Sequence, residues 1–490
     1  MFVALKSASA SHNAALSRSP PCLHTSPAAA LDGLQLDPDE SRALDYFLHR
    51  AAPCLAATQD GVFWTSLVPQ LIRHDVATRS AVLAISCMFE HPPETSNMMG
   101  VTSSISRSQS QALKWQSKSI KGFHARLVRN GTRMHDKEHI ELALLSCVLL
   151  TTIEFQQNNV HSALALLTRG YNMASSIPGE LASNLSETIK GILVPILARQ
   201  TVLMASFGRL PPKQWFERFQ RIAPTSVSKI DSLTDARAGL YTCLFKGMEF
   251  IQVAHTAYME DLPPDLSPGG PLGTQQAAVM KELTLWDKAF FEFSERRGGR
   301  FSEQERLAVT TMIMYYNVAC IWNETELDAT HMMQDKLMHR FQRVVDCAEA
   351  LLDAAKDASQ ETPAPFSFEM GVIPPLFFTG LKCRHPLIRR KTVDLLRRAP
   401  RQEALFAAEM NARAIEKLIE VEEVEELAKA VAEGRWAGDL PGQEMRCDHA
   451  AIIYEQGDGK KVRPMLSYVR GYSRDGSGKP QMRRGAVPLY

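Results

Sequence analysis

No two of the nine cysteines in this 490-residue chain lie closer than 27 positions apart, the nearest being Cys320 and Cys347. A small zinc module needs close pairs such as C-x2-C, because two thiolates must reach one ion at about 2.3 Å, so no metal site of that kind is expected. Cys87, Cys147, Cys243 and Cys320 fall in apolar helical context, which suits reduced core thiols in an intracellular protein rather than a disulfide framework. Long apolar runs are also lacking. The longest, Leu142 to Ile153, contains Ser146, Thr151 and Thr152 and ends at Glu154, short of the roughly 20 residues that span a bilayer. A soluble chain without a membrane partner is expected. The formal charge of +1 excludes a protein that is basic throughout and coats nucleic acid; any contact with DNA has to be local. There is no G-x-S-x-G, no dinucleotide fingerprint and no paired Cys/His signature of nucleophilic catalysis.

What is present is ordinary globular composition, 45% hydrophobic and 22% charged, enough for a sizeable core. Residues 1–31 contain no acid but carry Lys6, Arg18 and much Ser and Ala. That composition fits a mitochondrial transit peptide or a disordered leader, and Pro20, Pro21 and Pro27 interrupt any long amphipathic helix. Asp37-Pro38-Asp39-Glu40 opens the first helix, with Asp as cap and Pro in the first turn, and Pro53 is expected to stop it. From Gln111 on, helical periodicity dominates: 107–128, 137–157, 160–176, 184–207, 235–260, 274–296, 302–323, 329–356, 369–380, 386–398 and 403–434. Breaks fall at the Pro pairs 92–93, 211–212 and 263–264 and at Pro363 to Pro365. Consecutive helices joined this way pack as antiparallel hairpins, and no fixed repeat period appears. The fold expected is therefore all-α, an array of antiparallel helical hairpins over 37–435 after a disordered leader (1–36). A short β-hairpin follows (445–470), then a disordered basic tail (471–490).

Four motifs invite a chemical reading, each beside a plainer one. His135-Asp136-Lys137-Glu138-His139 matches the H-x-x-E-H pattern of zinc proteases, but it also reads as a solvated helix N-terminus. Glu154 closes an apolar helix and is either a general base with a raised pKa or a structural partner of Arg169. Trp64, Trp115 and Trp215 either stack on a ligand or fill the core. Gly457-Asp458-Gly459-Lys460-Lys461 lacks the spacing of a phosphate loop. No catalytic residue, metal ligand or cofactor is assigned.

The densest signal is Phe366 to Glu423. An apolar run from Gly371 to Gly380 leads into Cys383-Arg384-His385-Pro386-Leu387-Ile388-Arg389-Arg390, and a glutamate-rich helix follows. Pro386 opens a helix, and Leu376, Phe377 and Phe378 are expected to pack under Leu387-Ile388 and Leu395-Leu396. The arginines read as a solvated corner pairing with Glu416, Glu420, Glu422 and Glu423, or as a phosphate-binding patch. This succession resembles the C-terminal end of the regulatory domain in fungal zinc-cluster transcription factors. The opening of that domain is matched by Asp39-Glu40-x-x-Ala43-x-x-Tyr46-Phe47, Phe63-Trp64-x-x-Leu67-Val68-x-Gln70 and His74-Asp75-x-x-x-Arg79-x-Ala81-Val82-Leu83-Ala84, with Leu144 to Cys147 and Glu154 to Asn158 further on.

The resemblance implies a nuclear regulator of RNA polymerase II transcription, not an enzyme, whose helical domain controls dimerisation, effector response or co-regulator contact. That family's DNA-reading module has six cysteines beginning C-x2-C-x6-C, and this sequence has none in that spacing. Either the regulator acts through protein partners, touching DNA only indirectly, or the module belongs to sequence that precedes Met1. The alternative class is a helical enzyme or scaffold outside the nucleus, such as a mitochondrial one.

Overall fold

The computed structural model describes residues 34–56, 61–93, 106–129, 137–177, 188–206, 226–259, 269–328, 332–358, 364–456, 462–474 and 480–490, with 186, 267 and 330. Most of the leader, Trp215 and the Gly457–Lys461 segment lie outside them.

Helix α1 (Pro38–Tyr46) starts where its cap is: Asp37 accepts the Glu40 N–H at 2.8 Å. The helix does not stop before Pro53. It widens into a π turn, Phe47–Ala51, and goes on as α2 (Ala52–Ala56), so Pro53 lies within a continuous helix whose hydrogen bonding shifts at the turn, Ala52 N–H reaching the Phe47 carbonyl. Asp75 ends α3 (Val68–His74) and caps α4 (Val76–Glu90), accepting from Ala77 N at 3.0 Å and Thr78 Oγ1 at 2.6 Å. Nearly all of α4 is buried, under α5 (Arg107–Arg129) on one side and α1 on the other, where Ser86 Oγ donates to the Ala43 carbonyl at 2.6 Å. Gly122 of α5 lets the two helices touch: a Cβ there would lie 2.8 Å from that of Ala77.

Further hairpins follow: α6 (Lys137–Gln156) with α7 (Val160–Ser176), then α8 (Val194–Ser206), then α9 (Leu233–Met259) with α10 (Pro271–Arg296). Next are α11 (Glu303–Thr325) and α12 (Met338–Ala358). A reciprocal capping box opens α11, Ser302 Oγ accepting from Glu305 N at 3.2 Å and Glu305 from Ser302 N at 2.8 Å. The segment His139–Gln156 of α6 is long and apolar enough to cross a membrane by composition, and 78% of it is buried inside the protein.

The array closes with α13 (Ile373–Lys382), α14 (Pro386–Arg398), α15 (Ala408–Glu422) and α16 (Glu425–Ala432). One helix was expected over 403–434. Two tiny strands, β1 (Gln402–Glu403) and β2 (Phe406–Ala407), turn through Ala404 at φ 48° instead, and the helix breaks at Glu423–Val424. Glu403 accounts for the first of these departures. Its carboxylate reaches the N-terminus of α13, accepting from Gly371 N at 2.9 Å, Val372 N at 3.0 Å and Ile373 N at 2.8 Å, a geometry that a continuous helix cannot give.

The C-terminal β element is three-stranded and antiparallel: β3 (Cys447–Gln456), β4 (Val462–Arg474) and β5 (Pro480–Pro488), in that order. The tail expected to be disordered from 471 thus contributes a strand, whose sequence Pro-Gln-Met-Arg-Arg-Gly-Ala-Val-Pro carries too few apolar residues to announce it. One face of this sheet packs on α15: Leu466 and Cys447 meet Met410, Ala414 and Leu418, joined by Leu489.

Candidate functional site

Between the helical array and the C-terminal sheet lies an apolar cavity of about 760 Å³. Its walls come from separated parts of the chain. Helix α9 gives Leu244, Met248, Ile251 and His255; α11 gives Tyr315, Val318, Trp322 and Asn323; α13 gives Pro374, Phe377, Phe378 and Lys382. Met410 and Asn411 of α15 and Ala450, Ile452 and Tyr454 of β3 complete it. Ala451 of β3 and Ser467 and Val469 of β4 line it too, so the sheet contributes from two adjacent strands. A cavity of this size, largely hydrophobic with a few polar groups, is typical of small-molecule sites.

The polar groups on the wall are few. Tyr315 Oη donates to the Gly371 carbonyl at 3.1 Å, and Asn323 Nδ2 donates to the Ala319 carbonyl at 2.9 Å. Asn411 is buried, and its Nδ2 finds no acceptor among the described residues. Lys382 and His255 are the basic groups on the wall, and no Asp or Glu among the described residues lines it. Burial and the nearby Lys382 ammonium both push the His255 imidazole below its ordinary value.

Behind this wall, Glu326 accepts from the Trp322 indole N–H at 3.1 Å. Burial pushes its carboxyl up to about 7, against the opposing pull of Lys382 and of that indole. A carboxyl whose folded pKa exceeds its ordinary 4.5 holds its proton more tightly in the folded state. Its contribution to stability is therefore complete below its ordinary value and lost as pH rises through 7. Stability is expected to fall between pH 5 and pH 8, by up to about 3 kcal/mol from this group, and Glu326→Gln to flatten that slope. Urea unfolding at a series of pH values checks it; an unchanged slope in the variant assigns the dependence to other groups.

The second site is the arginine corner, which is buried at Arg384 and Arg389 and partly exposed at Arg390. Arg389 is fully buried and pairs with the buried Glu422; Arg384 is buried against Asp335 and the carbonyls of Pro441 and Gly442. Arg390 pairs with Glu423 at 2.7 Å. Arg446 joins them from the C-terminal segment, donating to Gln334 and, at 3.0 Å, to the Lys382 carbonyl. The Glu422 carboxylate also accepts the Cys447 N–H at 2.6 Å. The expected pairing with the glutamates is present, Arg397 meeting Glu416 at 2.9 Å as well, but the expected solvation fails at Arg384 and Arg389, which are buried with their carboxylates. Arg384 and Arg389, engaged inside the protein, are withdrawn from the phosphate-patch alternative. Leu387, expected inside, is exposed, while Ile388, Leu395 and Leu396 are buried with Leu376. Phe377 and Phe378 are half-buried and face the cavity.

The other sequence candidates are dispersed. His135 lies outside the described residues, and among those described no group of three or more His, Cys, Asp or Glu is placed to hold a metal ion. Glu154 takes amide partners in place of Arg169: Gln116 at 2.9 Å and Asn159 at 2.7 Å. Burial raises its pKa against those two bonds. Trp64 is a core residue, edge-on to Phe63 and Phe368, and Trp115 is buried. The cysteines among the described residues are free thiols, burial pushing Cys147 and Cys320 up to about 11 and Cys383 and Cys447 up to about 12.

The family described as fungal specific transcription factor domain matches residues 42–420, more than three quarters of the chain, and the protein belongs to that family. Membership marks it as a fungal transcription regulator and implies a nuclear protein and a regulator rather than an enzyme. No curated protein and no solved structure matches the chain.

Proposed function

We propose that this protein regulates transcription by RNA polymerase II in the nucleus through surfaces and a ligand cavity of its helical domain, engaging a second copy or a co-regulator protein. It touches DNA through such a partner, or through a module that this sequence does not contain. The observation that carries the reading is the family match across 42–420, in a chain whose cysteines are nowhere spaced for a zinc cluster. The test is the full chain tagged and expressed in a fungal cell, with transcripts measured after its induction. Nuclear accumulation, a reproducible set of changed transcripts and co-purification of a stable protein partner are expected. Accumulation in mitochondria with transcripts unchanged would support the scaffold or enzyme class instead.

A further inference from the structure

Helix α5 is one-sided in its chemistry. Between Arg107 and Arg129 it holds six Lys or Arg and no Asp or Glu, in a chain whose formal charge is only +1. Its inner face is ordinary core, with Ala112, Trp115, Ser119 and Phe123 buried. The outer face carries two parallel rows. Leu113 is 41% exposed, Ile120 46% and Val128 64%. At 3.6 residues per turn these three fall, with Ser117 and His124, within about 80° of one another, and Lys114, Lys118 and Lys121 form the neighbouring row. A shallow surface groove runs along this side, lined by Ser110, Leu113, Lys114, Ser117, Lys118 and Lys121. Lys118 has Glu40 at 3.7 Å and Arg126 has Asp75 at 2.9 Å, whereas Lys114 and Lys121 meet no carboxylate among the described residues. A single exposed aliphatic side chain needs no partner, but three on one row beside a row of ammonium groups make a surface. A phosphate backbone would use the lysines and leave the aliphatic row wet. A bilayer takes up a continuous apolar face, and here Ser117 and His124 interrupt it. An amphipathic helix with acids along one edge of its apolar stripe uses both rows.

We propose that the outer face of α5 docks an acidic amphipathic helix of a partner protein, its apolar residues over Leu113, Ile120 and Val128 and its carboxylates at Lys114 and Lys121. Leu113 to Val128 extends about 22 Å along the helix, so a partner segment of roughly 15–18 residues covers it. The inference rests on the regulator reading only for the partner's role as a co-regulator; docking itself stands or falls on purified protein, independently of the transcript measurements.

The experiment is fluorescence anisotropy of a labelled synthetic helix of about 18 residues, with Leu at helical spacing and Glu along one edge, titrated with the purified full chain. The same peptide with Gln for each Glu, a duplex DNA and phosphatidylserine vesicles are titrated alongside. One saturable site is expected, with the Gln peptide bound at least about tenfold more weakly. Lys114→Glu with Lys121→Glu should weaken the acidic peptide by at least about tenfold, and Leu113→Ser with Ile120→Ser by at least about fivefold. Lys281→Glu with Lys288→Glu, on the exposed side of α10, should stay within about twofold of the parent. Each variant is first shown to melt with the parent, and Lys114→Gln with Lys121→Gln replaces the charge reversal if that does not. Absence of saturable peptide binding, or binding that both α5 variants leave unchanged, would overturn the surface. Weakening by the lysine variant alone would reduce it to charge attraction and overturn helix docking. DNA or vesicles held through the same four residues more tightly than the peptide would overturn the protein partner in favour of a polyanion or a membrane.

Discussion

Arg389→Met is expected to lower the unfolding free energy by about 3–5 kcal/mol, because it strands the Glu422 carboxylate in the interior with its charge uncompensated. The pair is fully buried on both sides, so solvent does not screen it. The double variant Arg389→Met with Glu422→Leu should recover part of the loss but not all of it, since Glu422 also accepts the Cys447 N–H and that donor is then orphaned at about 1–3 kcal/mol. Arg389 Nε and Nη1 find no acceptor among the described residues, which makes the ion pair a weak source of net stability even though breaking it is costly. Arg397→Met is the control: it pairs with Glu416 at 2.9 Å with both side chains partly exposed, and about 1 kcal/mol or less is expected. Denaturant melts of the four proteins decide it, and an Arg389→Met chain as stable as Arg397→Met would show that water enters the corner.

Glu403→Ala carries the other large effect. Three consecutive backbone N–H groups, at 371, 372 and 373, lose their acceptor together, and at about 1–3 kcal/mol for each buried orphan the loss reaches roughly 3 kcal/mol or more. Burial pushes this carboxyl up to about 7 against the pull of the same three donors, and protonated or not its oxygens still accept. Glu403→Gln retains only one acceptor oxygen and should fall between Ala and the parent. Because α13 carries Phe377, Phe378 and Lys382, loosening its start should also weaken whatever the cavity holds. A Glu403→Ala melt within about 1 kcal/mol of the parent would mean that the amides are reached by solvent.

The helices were legible because their caps and stripes are local: Asp37 before Pro38, Ser302 before Glu305, Pro386 opening α14. The buried arginine was legible too, though it was misread. Arg389 stands three residues after Pro386 and four and seven before Val393 and Leu396, on the buried stripe; Glu422 stands four and seven after Leu418 and Ile415, on the facing one. A charge inside an apolar stripe, answered by the opposite charge inside the next, was a signal that residue type alone obscured. The cavity had no such signature. Its wall is assembled from α9, α11, α13, α15 and β3, more than 200 residues apart in sequence, and each segment alone reads as ordinary core. Glu403 was hidden for the same reason, its three partners lying some thirty residues upstream.

The segment from Pro441 to Cys447 supplies the last acceptors and donors of the arginine corner: carbonyls for Arg384, the Arg446 side chain for Gln334, and an N–H for Glu422. A ribosome delivers these residues after almost everything they secure. While the chain is being made, Arg384 and Arg389 must stay hydrated, because a guanidinium cannot enter the interior before its counterparts exist. Chains that end before residue 447 lack these partners, so their corner is expected to stay open to water and to proteases, whereas chains that reach it carry what closes the corner.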